Sequence, residues 1–237
     1  MDPIVNQAAK LHFMYGGAFN VPIVVRGASG AGTGAAAQHS QSLESWFCHV
    51  PGLKVVTPSN AQNAYDLLLS SFVDANPVIF MEHKLIYKVK ENVTLNPIPK
   101  DSSYLGKASI AQEGTDLTVV SYSNMVNVVK EAVSMDELQN YSIEIVDLQT
   151  VSPIDFETIK NSLIKTKKLL VCQEAPSNSS VGTTVVSKVV ESDLFNVLEI
   201  APKLVSGLHS PMPSAKHLES TVIPQKEDIL NAIQDML

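Results

Sequence analysis

Only two cysteines occur among the 237 residues, Cys48 and Cys172, and neither belongs to a CxxC pair. No disulfide framework or zinc ribbon is therefore indicated, and a reducing compartment suits the chain. Basic residues are also scarce: Lys and Arg total 17 against 24 Asp and Glu, a formal net charge of -7. No Lys/Arg cluster is dense enough to release many counterions from a phosphate backbone, so nucleic acid is not expected as a partner. The one short basic run, Lys165 to Lys168, follows a helix-like segment and reads as complementation of a helix C-terminal dipole. No apolar run reaches the ~20 residues that span a bilayer, and no basic stretch with an apolar core opens the chain; membrane partners are not expected. A P-loop and an internal repeat are missing as well.

What is present is a 45% hydrophobic composition, enough for a substantial core. Asp2 as cap, Pro3 in the first turn, and Ile4, Ala8, Leu11 and Met14 at helical spacing predict a helix ending at Gly16 and Gly17. "VPIVVRG" predicts a buried strand over Val21 to Arg26. A further strand in "PGLKVVTPS" leads to a helix that starts at Ser59, with Gln62 completing a capping box. Ala64, Leu67, Leu68 and Phe72 carry that helix, and "PVIFMEH" is the next strand. Residues 88–103 are polar and proline-containing and read as a linker. A second alternation follows. It comprises the strand "DLTVVSYS", a helix over Val126 to Leu138, the strand "YSIEIVDLQTVSP", and a helix boxed by Ser152 and Asp155. The strand "KKLLVCQEA", a helix over Val181 to Val190, the strand "VLEIAP", and a final helix from Gln225 complete it. The fold class is thus α/β, two consecutive parallel-sheet units: 1–90, a linker over 91–103, and 104–237.

The stretch "SGAGTGAAAQHSQSLESWF", Ser29 to Phe47, places His39 at the end of a run of small residues and just before a helix. An imidazole there can carry protons, ligate, or cap a turn. Arg26 reads as one half of a structural salt bridge, and His49 as a helix-ending residue that complements the dipole. Glu82, His83 and Tyr87 follow a strand's C-terminal end and read as inter-subunit packing, while His209 and His217 flank a proline-rich turn.

"VPIVVRGASGAGTGAAAQHSQSLESWFCHVPGLKVVTPSNAQNAYDLLLSSFVDANPVIFMEHKLIY", with "TVSPID" and "SPMPSAKHLESTVIPQKEDILNAI", closely resembles a known family. It is that of the beta subunits of the thiamine-diphosphate-dependent first component of 2-oxo acid dehydrogenase complexes, including pyruvate, branched-chain and acetoin dehydrogenases. The resemblance implies a truncated transketolase-like pyrimidine-binding domain followed by a transketolase C-terminal-like domain. It implies an alpha subunit that holds the diphosphate and its Mg2+, a second beta subunit, and a lipoyl-bearing acyltransferase as partners. In the family the pyrimidine-contacting glutamate lies in sequence that would precede Met1, and an N-terminal part is expected there. The family histidine of "QHSQ" makes His39 the expected group for proton transfer and lipoyl acylation. A potassium site is implied at Ile23, Ser71, Phe72, Asp74 and Asn76, mostly through main-chain oxygens. A bacterial cytoplasm or a mitochondrial matrix is the implied location. Two other readings stay open: a non-catalytic assembly chain, and half of a transketolase-like sugar-transferring enzyme, which the histidine loop disfavours.

Overall fold

The computed structural model describes all 237 residues. Its opening helical segment is wound as a π-helix over Pro3–Ala8 and continues as α1 (Ala9–Met14). Asp2 does not cap it, because its own backbone is already helical and its carboxylate accepts from Asn6 Nδ2 at 2.6 Å instead. β1 (Val24–Ser29) begins later than the apolar run suggests. Val21 N–H is committed to Ala75 O, and Pro22 has no N–H to offer a ladder. The short helices α2 (Ala36–His39) and α3 (Glu44–Cys48) precede β2 (Lys54–Val56), α4 (Ala61–Phe72) and β3 (Val78–His83). The cap of α4 is Asn60, in a reciprocal box with Asn63. Ser59, the expected cap, sends its hydroxyl elsewhere, as described below.

The second unit contains β4 (Ser109–Gln112), β5 (Leu117–Ser121), α5 (Met125–Val133), β6 (Ile143–Asp147) and β7 (Thr150–Ser152). It continues through α6 (Phe156–Thr166), β8 (Leu169–Pro176), α7 (Val181–Val190), β9 (Lys203–Gly207), α8 (Lys216–Val222) and α9 (Lys226–Gln234). Three expectations shift. The helix expected to Leu138 ends at Val133, and Asp136–Leu138 forms a separate 3-10 turn. The final strand forms at Lys203–Gly207 rather than at "VLEIAP". The expected single strand before Pro153 breaks at Gln149, whose φ of 55° turns the chain left-handed, into β6 and β7. Asp155 caps α6 through Thr158 N–H, while Ser152 belongs to β7.

That break has a topological consequence. β7 leaves its own unit and pairs antiparallel with β2, so the first sheet runs β1-β3-β2-β7. The second sheet runs β4-β6-β5-β8-β9, with β4 antiparallel and the other neighbours parallel. Both sheets are therefore mixed rather than wholly parallel. The largest hydrophobic cluster, 18 buried residues, contains Val55, Ile79 and Met81 of the first sheet together with Val120, Val146, Leu169 and Val171 of the second. Each such side chain contributes roughly 1.5–3 kcal/mol on full burial, so the units dock through core rather than through a wet seam. The far face of the second sheet is closed by α5 and α9. The far face of the first sheet buries only Val56, Leu67, Val78 and Phe80.

Asp147, at the C-terminal end of β6, ties this junction together. Its Oδ2 accepts from Ser59 Oγ at 2.5 Å and from Asn63 Nδ2 at 3.1 Å, and its Oδ1 from Gln149 N at 3.1 Å. Burial raises its pKa from 3.8 to about 6, against the opposing hydrogen bonds. The folded state thus binds this proton more tightly than the unfolded chain. The associated stability is full below 3.8 and is lost as pH rises through about 6. It amounts to about 3 kcal/mol. Thermal melting across that window should show a falling midpoint for the wild type, and Asp147→Asn should remove that segment of the slope. Parallel curves for the two proteins would refute the linkage.

Candidate active site at the histidine loop

His39 is the last residue of α2 and is exposed, and its imidazole makes no hydrogen bond within the chain. It is reached through a loop of small residues that crosses the C-terminal ends of β1 and β3. Gly30, Gly32 and Gly34 have φ of +85°, +90° and +70°, which a side chain would strain. Gly30 also has no room: a Cβ there would lie 2.0 Å from the imidazole of His83. The loop rests on that ring.

His83, expected at a subunit contact, is instead enclosed by its own chain at 3% exposure. Its Nδ1 lies 3.3 Å from Leu85 N, which can only donate, so Nε2 carries the proton and donates to Glu174 Oε2 at 2.8 Å. Glu174, in β8, also accepts from Ala31 N at 2.9 Å and Ser42 Oγ at 2.7 Å. Burial alone would raise its pKa, but the bonds from His83, Ser42 and Ala31 outweigh it and hold the carboxyl below its ordinary value. Glu219, in α8, accepts from Gly32 N at 2.8 Å and Gly34 N at 2.9 Å. The Lys84 ammonium donates to His39 O.

The other acids are committed elsewhere. Glu82 pairs with Arg26 through two bonds, 2.7 and 3.2 Å, and takes the Tyr87 hydroxyl at 3.4 Å. Glu44 is fully enclosed and accepts from Tyr122 OH at 2.6 Å, with burial raising its pKa. Burial also pushes the Cys48 thiol up to about 12 and the Cys172 thiol higher. Neither is a thiolate nucleophile at neutral pH. A cavity of about 560 Å3 opens beside the loop, lined by Ser40, Gln41, Ser42, Glu174, His209 and Met212 among others. His49 caps the end of α3, and His217 is an exposed residue of α8.

The residues inferred as potassium ligands do gather where α4 ends and β1 begins, through Val21 N to Ala75 O and Val78 N to Ile23 O. Ile23 O is taken by Val78 N, and the Ser71 and Asp74 side chains are committed within the chain. Ser71 Oγ donates to Leu67 O at 2.7 Å, and Phe72 is 61% exposed. Asp74 Oδ1 accepts from Asn76 N at 2.8 Å, and Oδ2 takes the Lys54 ammonium. Burial would raise the Asp74 pKa, but Lys54 and the other donors hold it below its ordinary value. No group of three or more His, Cys, Asp and Glu side chains converges as a metal site.

Sequence reasoning missed Glu174, Glu219 and Lys84. Glu174 carried one signal, its place at the C-terminal end of a parallel strand, where ligands gather. Glu219 looks like any helix-surface acid, yet it is 2% exposed.

Comparison with known proteins gives a consistent picture. Residues 1–90 match the model of the transketolase pyrimidine binding domain, and residues 106–229 that of the transketolase C-terminal domain. The chain is 40% identical to the mitochondrial pyruvate dehydrogenase E1 component subunit beta of Ascaris suum over 242 residues, covering 100% of this chain and 66% of that one. It is 40% identical over 238 residues to the corresponding Homo sapiens protein, with the same coverage. The Rickettsia bellii (strain RML369-C) subunit is 38% identical, covering 99% of this chain and 71% of that one. The chain thus spans about two thirds of the length of the curated relatives it matches. Among solved structures, a "split gene transketolase, inactive beta4 tetramer" superposes with a TM-score of 0.73 at 19% identity, covering 100% of this chain and 70% of that one, a likeness of fold.

Proposed function

Because the chain belongs to the family of pyruvate dehydrogenase E1 beta subunits, built from transketolase pyrimidine-binding and C-terminal domains, we propose that it is the beta subunit of a pyruvate-type 2-oxo acid dehydrogenase, with His39 as its catalytic residue. The observation that carries this reading is the His39 imidazole: exposed and unpartnered, at the end of a loop whose amides at Ala31, Gly32 and Gly34 are internally paired. A group so placed is free to exchange protons with a bound reactant.

Thiamine diphosphate, when bound, supplies the electron sink for decarboxylation. This chain's acids do not fit the aminopyrimidine: Glu82, Glu174, Glu219 and Glu44 are each spoken for. The loop amides do not fit a diphosphate either, since Glu174 and Glu219 fill them. In our reading the cofactor, with Mg2+, is held chiefly by groups other than these, including an alpha subunit. His39 serves the transfer that follows. There the imidazole would give a proton to the lipoyl sulfur released when the S–S bond breaks, while the other sulfur takes the acyl group; the disulfide is the two-electron oxidant. A monovalent cation at Asp74 would have to share its carboxylate with Lys54, so potassium enters no step. Exposed Phe13, Tyr15, Phe19 and Phe72 suit the burial that alpha and second beta subunits would bring. The same reading divides the chain at 91–103 and places it in a bacterial cytoplasm or a mitochondrial matrix.

The test is co-expression with an alpha subunit and assay of the purified assembly for 2-oxo-acid-dependent acylation of a lipoyl domain. Pyruvate, branched-chain 2-oxo acids and acetoin should be compared in thiamine diphosphate and Mg2+. Acylation with pyruvate is the expected result. A stable assembly inactive with all of them would overturn the reading.

A further inference from the structure

We infer that Glu174 and Glu219 are positioning residues, clamping the glycine loop from the second unit and so setting where His39 stands; the inference rests on the role proposed for His39. The loop has every reason to be mobile. Its glycines at 30, 32 and 34 occupy backbone states that larger residues avoid, and glycine loses more freedom on ordering than any other residue. Within the loop one main-chain bond, Gly30 N–H to Gln41 O at 3.0 Å, offsets part of that loss. The rest comes from outside, as three main-chain N–H groups, Ala31, Gly32 and Gly34, donate to two carboxylates at 2.8–2.9 Å. Hydrogen bonds to an ionised acceptor are about twice as strong as neutral ones.

The division of labour between the acids is specific. Glu219 uses both oxygens on the loop, one on Gly32 and one on Gly34. Glu174 uses Oε1 on Ala31 and on the Ser42 hydroxyl, which lies just beyond His39, so one carboxylate oxygen grips the chain on both sides of α2. Its Oε2 fixes the His83 ring that forms the floor under Gly30. Lys84 holds the end of α2 through the His39 carbonyl. His39 is thereby registered against a frame whose two acids lie 143 and 185–187 positions away in sequence from the amides they bind. Main-chain N–H groups converge on anions here as they would on a phosphate, but the anions are supplied by the protein.

Glu219→Gln keeps the shape and exchanges one acceptor for a donor that opposes a loop N–H; Glu174→Gln does the same at Ala31 and Ser42. Both are made in the full chain. Amide hydrogen exchange and the His39 imidazole NMR signals are read without any partner, and kcat and KM are read in the alpha-beta assembly. In Glu219→Gln, Gly32 and Gly34 should exchange about tenfold faster or more, while Val119 and Ile145 of the core keep their protection. The His39 signals should move or broaden. In the assembly kcat should fall by about 10–100-fold, with KM for the 2-oxo acid little changed, as expected for misplacement of a reacting group. Unchanged loop exchange with unchanged His39 signals in both variants would overturn the inference, as would a loosened loop with wild-type kcat. An inactive wild-type assembly would sink the proposed function instead, and the exchange and His39 signals would still decide whether the clamp sets the imidazole.

Discussion

His39→Ala should slow lipoyl acylation in the alpha-beta assembly by about 10²–10⁴-fold, the usual span for loss of a positioned general acid or base. The same substitution should leave the fold untouched. The side chain is exposed and makes no hydrogen bond, and surface changes of that kind usually stay within about 0.5 kcal/mol. Cofactor affinity should also hold, because the imidazole is asked to move a proton and not to carry the cofactor's charge. The diagnostic pattern is therefore a collapse in acyl transfer at constant melting temperature and constant thiamine diphosphate titration. Acyl transfer near the wild-type rate would remove His39 from the mechanism.

Gly30→Ala should be among the most damaging single methyl groups in the first unit. The new Cβ would sit 2.0 Å from the His83 ring, at a φ of +85°. Backbone strain of this sort costs about 1–3 kcal/mol by itself. The ring cannot step aside cheaply, because it is 3% exposed and bonded to Glu174 at 2.8 Å. A total of about 2–4 kcal/mol is expected, and at this chain length each kcal/mol lowers the midpoint by about 2–4 °C. Gly27→Ala is the control: it lies on the exposed edge strand β1, with nothing within 4 Å of a Cβ. Thermal melting of the pair should separate them by about 5–15 °C. Equal midpoints would mean that the loop does not rest on His83 as described.

Element types were largely legible because they depend on neighbours a few positions away. The apolar run "PVIFMEH" became β3, and the spacing along "VGTTVVSKVV" became α7. The motif around His39 located the exposed imidazole for the same reason: a glycine-rich turn and a short helix are local objects. Even the misplaced cap at Ser59 was wrong by a single residue.

What failed depended on partners far along the chain. β7 changes sheets because its hydrogen-bond partner is β2, and nothing in "TVS" distinguishes that partner from β6. Ser59 was taken from capping by a carboxylate at Asp147, in the other unit. Nothing in the sequence pairs Asp74 with Lys54, or places both oxygens of Glu219 on the glycine loop. The sequence by itself determined the alternation of helices and strands, the position of the histidine loop and the family. Tertiary structure alone decided which carboxylates are free for chemistry and which are consumed as internal anions. A carboxylate's role is set by the donors that docking brings within about 3 Å, and sequence patterns of short period carry no record of that distance.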